Sequence, residues 1–243
     1  MAIRHRGSRP ETEAAGSEWI TLMNSSENDE LPLGESRPMR ILPAGATLRD
    51  ATEWLRSCGV IVAAVQVGEM IPDFELVNAT GVNVDLGSLL DRGPVVITFI
   101  LGSRSPTCRA SLRALQEALP GIEAHRGTLV AILPDPPAVS YTLAEEDGLG
   151  FDLLTDDHGQ LGRLFGLTYQ PPEPVAVWLD FIGLGVPRDG MPSDLILPAT
   201  YVVDSNGIAA YAFLDPDPTR RVDPRAVIES LSRMPSEPAV RLG

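Results

Sequence analysis

One segment, Val95-Val96-Ile97-Thr98-Phe99-Ile100-Leu101-Gly102-Ser103-Arg104-Ser105-Pro106-Thr107-Cys108, leaves few architectures open to this chain. Its apolar first half has the length of a strand and the near-continuous hydrophobicity of one covered on both faces. Gly102 ends it. After Pro106, the residues Leu112, Leu115 and Leu119 recur at spacings of three and four, which predicts a helix over about 105–118 with its leucine stripe on the sheet. Cys108 then falls in the first turn of that helix. There, unpaired backbone N–H groups and the helix dipole favour an anion, and Arg104 and Arg109 add positive charge. Free cysteine also packs commonly as a small buried hydrophobe. A purely structural cysteine would gain nothing from Ser103, Arg104, Ser105, Thr107 and Arg109, so Cys108 is the first candidate nucleophile.

Composition narrows the functions available. With 243 residues, 44% of them hydrophobic, the chain can hold one full core plus extensions. A net charge of −14 argues against a nucleic-acid partner, since phosphate binding draws on clustered cations. No apolar stretch approaches the ~20 residues that span a bilayer, and the N-terminus lacks a signal-peptide core, so a cytoplasmic protein without a membrane partner is expected. All nineteen basic residues are arginine. Schiff-base lysine chemistry and a P-loop lysine are therefore excluded. The two cysteines, Cys58 and Cys108, are fifty positions apart, and His5, His125 and His158 are scattered, so no metal-ligand spacing is present and no cofactor is expected.

Residues 1–45, rich in Ser, Glu, Pro and Gly, read as a disordered or loosely attached arm. A leading helix and connector occupy 46–66. Thr47 and Asp50 form a capping pair there, Ala51, Trp54, Leu55 and Cys58 supply an apolar face, and Gly59 stops the helix. Cys58 is expected to pack inward. Val60-Ile61-Val62-Ala63-Ala64-Val65-Gln66-Val67 reads as strand or buried coil, and Asn78-Ala79-Thr80-Gly81 as a turn between two short strands. Beyond it, strands are expected at 94–101, 128–133, 200–204 and 208–214, and helices near 105–118, 138–146, 158–166 and 223–233. The Asn206-Gly207 turn joins the last two strands as a hairpin, so the sheet is mixed. This order predicts an α/β, thioredoxin-like fold over 67–234, a central mixed β-sheet flanked by helices, with a tail at 235–243. The insertion at 169–197 carries Trp178, Leu179, Phe181 and Ile182 and reads as a lid, an oligomer contact, or a decoration packed on the body. Asp156-Asp157-His158-Gly159 reads as a helix cap rather than acid–base chemistry. Arg220 and Arg221 either face the active-site end of the sheet or make surface ion pairs with Asp215, Asp217 and Asp223.

Four blocks in order carry a resemblance. They are Val67-Gly68-Glu69-Met70-Ile71-Pro72-Asp73-Phe74, the Phe99 to Cys108 segment, Leu197-Pro198-Ala199-Thr200-Tyr201-Val202-Val203-Asp204-Ser205-Asn206-Gly207, and Asp215-Pro216-Asp217-Pro218-Thr219-Arg220-Arg221. They resemble the alkyl hydroperoxide reductase and thiol-specific antioxidant family, the peroxiredoxins, and within it the branch that reads F-Y-R-G-G-W-C-P-Y-C at the active site and D-P-D-Y-T-R-R near the end. The resemblance implies a thiol-dependent peroxidase in which Cys108 attacks a hydroperoxide. By position Ser105 is the hydroxyl that orients the peroxide oxygen, and the backbone N–H groups of Thr107 and Cys108 help hold it.

The departures from the family fall on the chemistry. Leu101 replaces the family's proline, Ser105 replaces the first cysteine of the branch motif, and the family's distant arginine falls near Pro198, which cannot serve. Arg104, in place of the branch tryptophan, is the candidate cation. With Cys58 expected inside, the resemblance implies a one-cysteine cycle completed by an external reductant, a thioredoxin-like protein or a small thiol such as glutathione, and it adds a homodimer as a candidate assembly. Two other readings stand beside it. One is a thioredoxin-fold protein that binds or transforms an apolar small molecule under a lid at 178–181; the other is a non-catalytic homologue.

Overall fold

The computed structural model describes residues 47–181 and 194–234. The arm expected at 1–45, the tail at 235–243 and Ile182 lie outside them. The strands are β1 (Glu75–Asn78), β2 (Asn83–Asp85), β3 (Val95–Phe99), β4 (Thr128–Leu133), β5 (Asp152–Thr155), β6 (Thr168–Tyr169), β7 (Leu195–Ile196), β8 (Ala199–Val203) and β9 (Ala209–Leu214). The helices are α1 (Leu48–Ser57), α2 (Val60–Ala63), α3 (Leu86–Leu90), α4 (Pro106–Ala124), α5 (Pro137–Asp147), α6 (Gln160–Leu164), α7 (Glu173–Phe181) and α8 (Pro224–Ser232). Among the described residues no helix is long and apolar enough to cross a membrane.

Seven strands form one sheet in the order β2-β1-β5-β4-β3-β8-β9. Strand β3 lies parallel to β4 and antiparallel to β8, with Phe99 opposite both Ile132 and Ala199. All five of its residues are buried, as its continuous apolar run requires. The period of two along β3 divides the core. Val95, Ile97 and Phe99 pack with α1, α3, α6 and α7, whereas Val96 meets α4 and α8, and Ile100 lies with Cys108, Leu112 and Leu143. Helix α1 is therefore on the opposite face of the sheet from α4.

The fold class, the mixed sheet and the terminal hairpin match the expectation, and several details differ. The connector after Gly59 is the short helix α2 rather than strand or coil. Strand β5 and helices α3 and α7 were not anticipated. Helix α4 runs past Leu119 through Pro120, which removes one ladder bond, because Ile122 is fully buried beyond it and Gly121 lets Ile228 of α8 approach closely.

Cys58 does not pack inward. It is the C-cap of α1 and exposed, because the buried stripe stops at Leu55 and Gly59, at φ +89°, turns the chain away. Its thiol donates to the Leu55 carbonyl. The described part of the insertion belongs to the body. Val175, Trp178 and Leu179 of α7 are buried in the core beside α1, which leaves them no surface to offer as a lid. The Asp156 carboxylate accepts from the N–H groups of Leu161 and Gly162, so it caps α6 as expected.

Candidate active site

The C-terminal edge of β3 turns into α4 through residues 100–105. Gly102 sits at φ +137°, a conformation open to glycine, and its Cα faces the Asp135 carboxylate closely. Asp135 then fixes the turn, accepting from the Ser103 N–H at 2.7 Å and from the Ser103 hydroxyl at 3.0 Å. Ser105 is the N-cap of α4 and Pro106 its first residue, a preferred pairing for starting a helix. The Ser105 side chain accepts from the Cys108 N–H at 3.4 Å. Among the described residues the Ser105 hydroxyl proton has no acceptor, so it remains available to a ligand oxygen. Thr107 is half-buried, and its carbonyl accepts from Ser111.

Cys108 has no exposed surface. Its Sγ lies 3.9 Å from Nη2 of Arg221, within reach of a weak charge-assisted hydrogen bond. That arginine comes from the loop between β9 and α8, whose sequence builds it in place. Asp215 accepts from the Asp217 N–H, Asp217 accepts from the N–H and hydroxyl of Thr219, and Arg220 spends its charge on Asp215 at 2.9 Å. These two side-chain turns carry the backbone round so that Arg221 Nη1 donates to the carbonyls of Pro218 and Arg220 while Nη2 faces the sulfur. Of the two readings left open for this pair, each residue follows one: Arg220 is a surface ion pair and Arg221 faces the site.

Arg104, the expected cation, is exposed and makes no hydrogen bond or ion pair among the described residues. The structure places Arg221, not Arg104, against the sulfur. The reason is local: the turn that positions Ser103 for Asp135 leaves the next residue in solvent. Pro198, where the family's arginine was expected, lines one small cavity together with Arg221, so a cation reaches this place from a different loop. Arg109 is committed elsewhere.

Arg109 donates to Asp147 and Glu146, and Arg113 donates to Asp147 at 2.6 Å, which ties α4 to α5. The Arg109 hydrogen bond holds the Asp147 carboxyl below its usual range, with Arg113 adding to the effect against the opposing influence of desolvation. A carboxylate depressed in the folded state contributes stability that is present above its unfolded value and is lost as pH falls through the folded one. The Asp147 side chain has no exposed surface, so Asp147→Asn should cost about 1–3 kcal/mol at pH 7 in urea titrations. The difference from wild type should shrink steadily below the ordinary carboxylate range.

A sequence model of the AhpC/TSA family matches residues 67–212. The chain belongs to that family. Two relatives named as peroxiredoxins, from Mycobacterium tuberculosis (strain CDC 1551 / Oshkosh) and Helicobacter pylori (strain J99), are 29% and 26% identical over 103 and 101 residues. These spans are 42% of this chain in both cases and 67% and 66% of the relatives. Among solved structures, the M. tuberculosis peroxidoxin BcpB superposes with a TM-score of 0.56 at 21% identity, over 70% of this chain and 99% of its own. Xanthomonas campestris peroxiredoxin Q gives 0.53 at 17%, over 65% and 89%. Both likenesses establish the thioredoxin-type fold. The AhpC/TSA match contains Ser105 and Cys108 but ends before Arg221, so the arginine that faces the sulfur lies outside the span by which the family is recognised.

Proposed function

We propose that this AhpC/TSA protein reduces hydroperoxides through Cys108. The observation that carries the reading is the meeting, at one helix N-terminus, of a buried sulfur, an arginine 3.9 Å away and a hydroxyl whose proton has no acceptor among the described residues. Arg221 and the first-turn dipole favour the thiolate. The thiolate attacks the terminal oxygen of ROOH: an S–O bond forms, the O–O bond breaks, and the leaving alkoxide takes a proton to give ROH. Sulfur is oxidised by two electrons to the sulfenic acid. Ser105 and the N–H groups of the first turn meet the oxygens as charge develops on them.

An external thiol then condenses with the sulfenic acid, releasing water and leaving a mixed disulfide. A second thiol displaces it to regenerate Cys108. A small thiol or a thioredoxin-like protein supplies these electrons. Cys58 is exposed, so burial does not disqualify it. Its place on the other face of the sheet does, because a Cys58–Cys108 bond would need α1 or α4 to leave the core.

Limiting hydrogen peroxide in the presence of dimedone tests the reading, and exposed Cys58 serves as an internal reference for an ordinary thiol. Rapid labelling of one sulfur per chain at Cys108 is expected, absent in Cys108→Ser and slowed about 10²-fold in Ser105→Ala. Wild-type protein should form no Cys58–Cys108 disulfide by mass spectrometry. Oxidation of Cys108 no faster than that of Cys58 would overturn the proposal, and a peroxide-induced internal disulfide would replace the external thiol with Cys58.

A further inference from the structure

Arg221 Nε is a buried donor without an acceptor among the described residues. Two of the guanidinium's three nitrogens are accounted for, Nη1 by backbone carbonyls and Nη2 by Cys108, so the unpartnered N–H is on the remaining one. Burying an N–H in this way costs about 1–3 kcal/mol unless something accepts from it.

Arg221 also lines a cavity of about 10 Å³, room for one water-sized centre. Three hydroxyl residues share its walls: Thr98 on β3, Thr200 on β8 and Ser111 on α4. Thr98 and Thr200 are nearly inaccessible to solvent, and their hydroxyl oxygens lie 2.9 Å apart. Thr98 Oγ1 lies 3.4 Å from the Ala199 carbonyl, and Ser111 donates to the Thr107 carbonyl at 3.1 Å. Ser111 gives its proton to the Thr107 carbonyl, and Thr98 and Thr200 direct theirs at the Ala199 carbonyl or at each other, so the oxygens keep lone pairs to offer. The cavity thus presents one donor and several acceptors, the complement of a single water, which would accept from Nε and donate to two hydroxyls. Three bonds is the usual count for a buried water.

We infer that a buried water held by Thr200, with Thr98 and Ser111, binds Arg221 Nε and fixes the guanidinium so that Nη2 stays on the Cys108 sulfur. Thr98 and Thr200 are then positioning residues, acting on the sulfur through water and arginine without touching it. Cys108 is not a wall of the cavity, so the bound molecule is a structural water rather than substrate. This inference rests on the reading of Cys108 as a thiolate supported by Arg221.

The test uses full-length protein with Cys58→Ser, a crystal structure of the reduced form that resolves ordered water, and the rate of Cys108 alkylation by iodoacetamide as a function of pH. The structure should show a water within hydrogen-bonding distance of Arg221 Nε and Thr200 Oγ1. Thr200→Val, which keeps shape and removes the hydroxyl, should lower the ratio of alkylation rates at pH 7 and pH 10 by about fivefold, the worth of one hydrogen bond. Thr200→Ser should restore it. A dry cavity, or a Thr200→Val profile superposable on the parent, overturns the inference even if Thr200→Val loses stability, since the crystallographic arm needs no variant. Arg221→Met separates the two levels. If it lowers the ratio of rates at pH 7 and pH 10 while Thr200→Val does not, the water-held arginine alone is wrong. If it changes nothing, the thiolate reading falls as well.

Discussion

Arg221→Met is expected to slow the oxidation of Cys108 by hydrogen peroxide about 10²–10³-fold, the scale on which one preorganised charge-stabilising donor acts at a buried centre. Methionine retains much of the arginine stem's volume and removes only the charge and the N–H groups, so the loop should hold through its Asp215 and Asp217 turns. Stopped-flow mixing with peroxide, followed by quenching and mass analysis, gives the rate at the sulfur directly. Arg104→Met is the control. It should change the rate less than twofold, because Arg104 is exposed and makes no hydrogen bond or ion pair among the described residues. The reverse ranking would return the cation to the position read from the linear motif.

The second large effect is on stability. Gly166, at φ +69°, follows α6, and an added Cβ would lie 2.1 Å from the Ala63 carbonyl oxygen and 2.6 Å from its carbon. Both are backbone atoms at the end of α2 and cannot swing aside. Gly166→Ala should therefore combine the left-handed penalty of about 1–2 kcal/mol with an overpacking cost of about 1–3 kcal/mol. A loss of about 3 kcal/mol in chemical denaturation is expected. The damage should reach the site's scaffold, because the adjacent Phe165 accepts from the Val65 N–H and packs against Phe99 at the end of β3. Gly148→Ala, at φ +61° with open space around it, isolates the first cost from the second.

These two positions differ in how far the sequence announces them. Strand β3 and helix α4 were legible because their apolar patterns are long and continuous, and the Ser105–Cys108 relation followed from a helix start. Strand β5 was not. Its four residues, Asp152-Leu153-Leu154-Thr155, place only two leucines in the core and show no period to read. Helix α7 was hidden by Pro171, Pro172 and Pro174, which suggest coil although proline in a first turn is compatible with helix. Cys58 extended an apolar stripe on paper, and a glycine one residue later took it to the surface.

Arg221 is the site residue least announced by the sequence. It is 113 positions from Cys108, among aspartates that offer equally plausible partners, and two nested side-chain turns decide which arginine goes where. The motif favours Arg104, which stands where the branch has tryptophan, but a place in a turn is a poor guide to which way a side chain leaves it.

The same separation gives the sulfur a chronology. A chain emerging from the ribosome exposes Cys108 well before β8, β9 and the loop that carries Arg221 have been made. Until that last hairpin closes onto β3, the thiol has no counter-charge from this arginine and should meet peroxide as any other cysteine does. On the proposed reading, reactivity would thus be conferred only once this loop has been made, and a chain cut before Arg221 would hold the nucleophile in a dormant form.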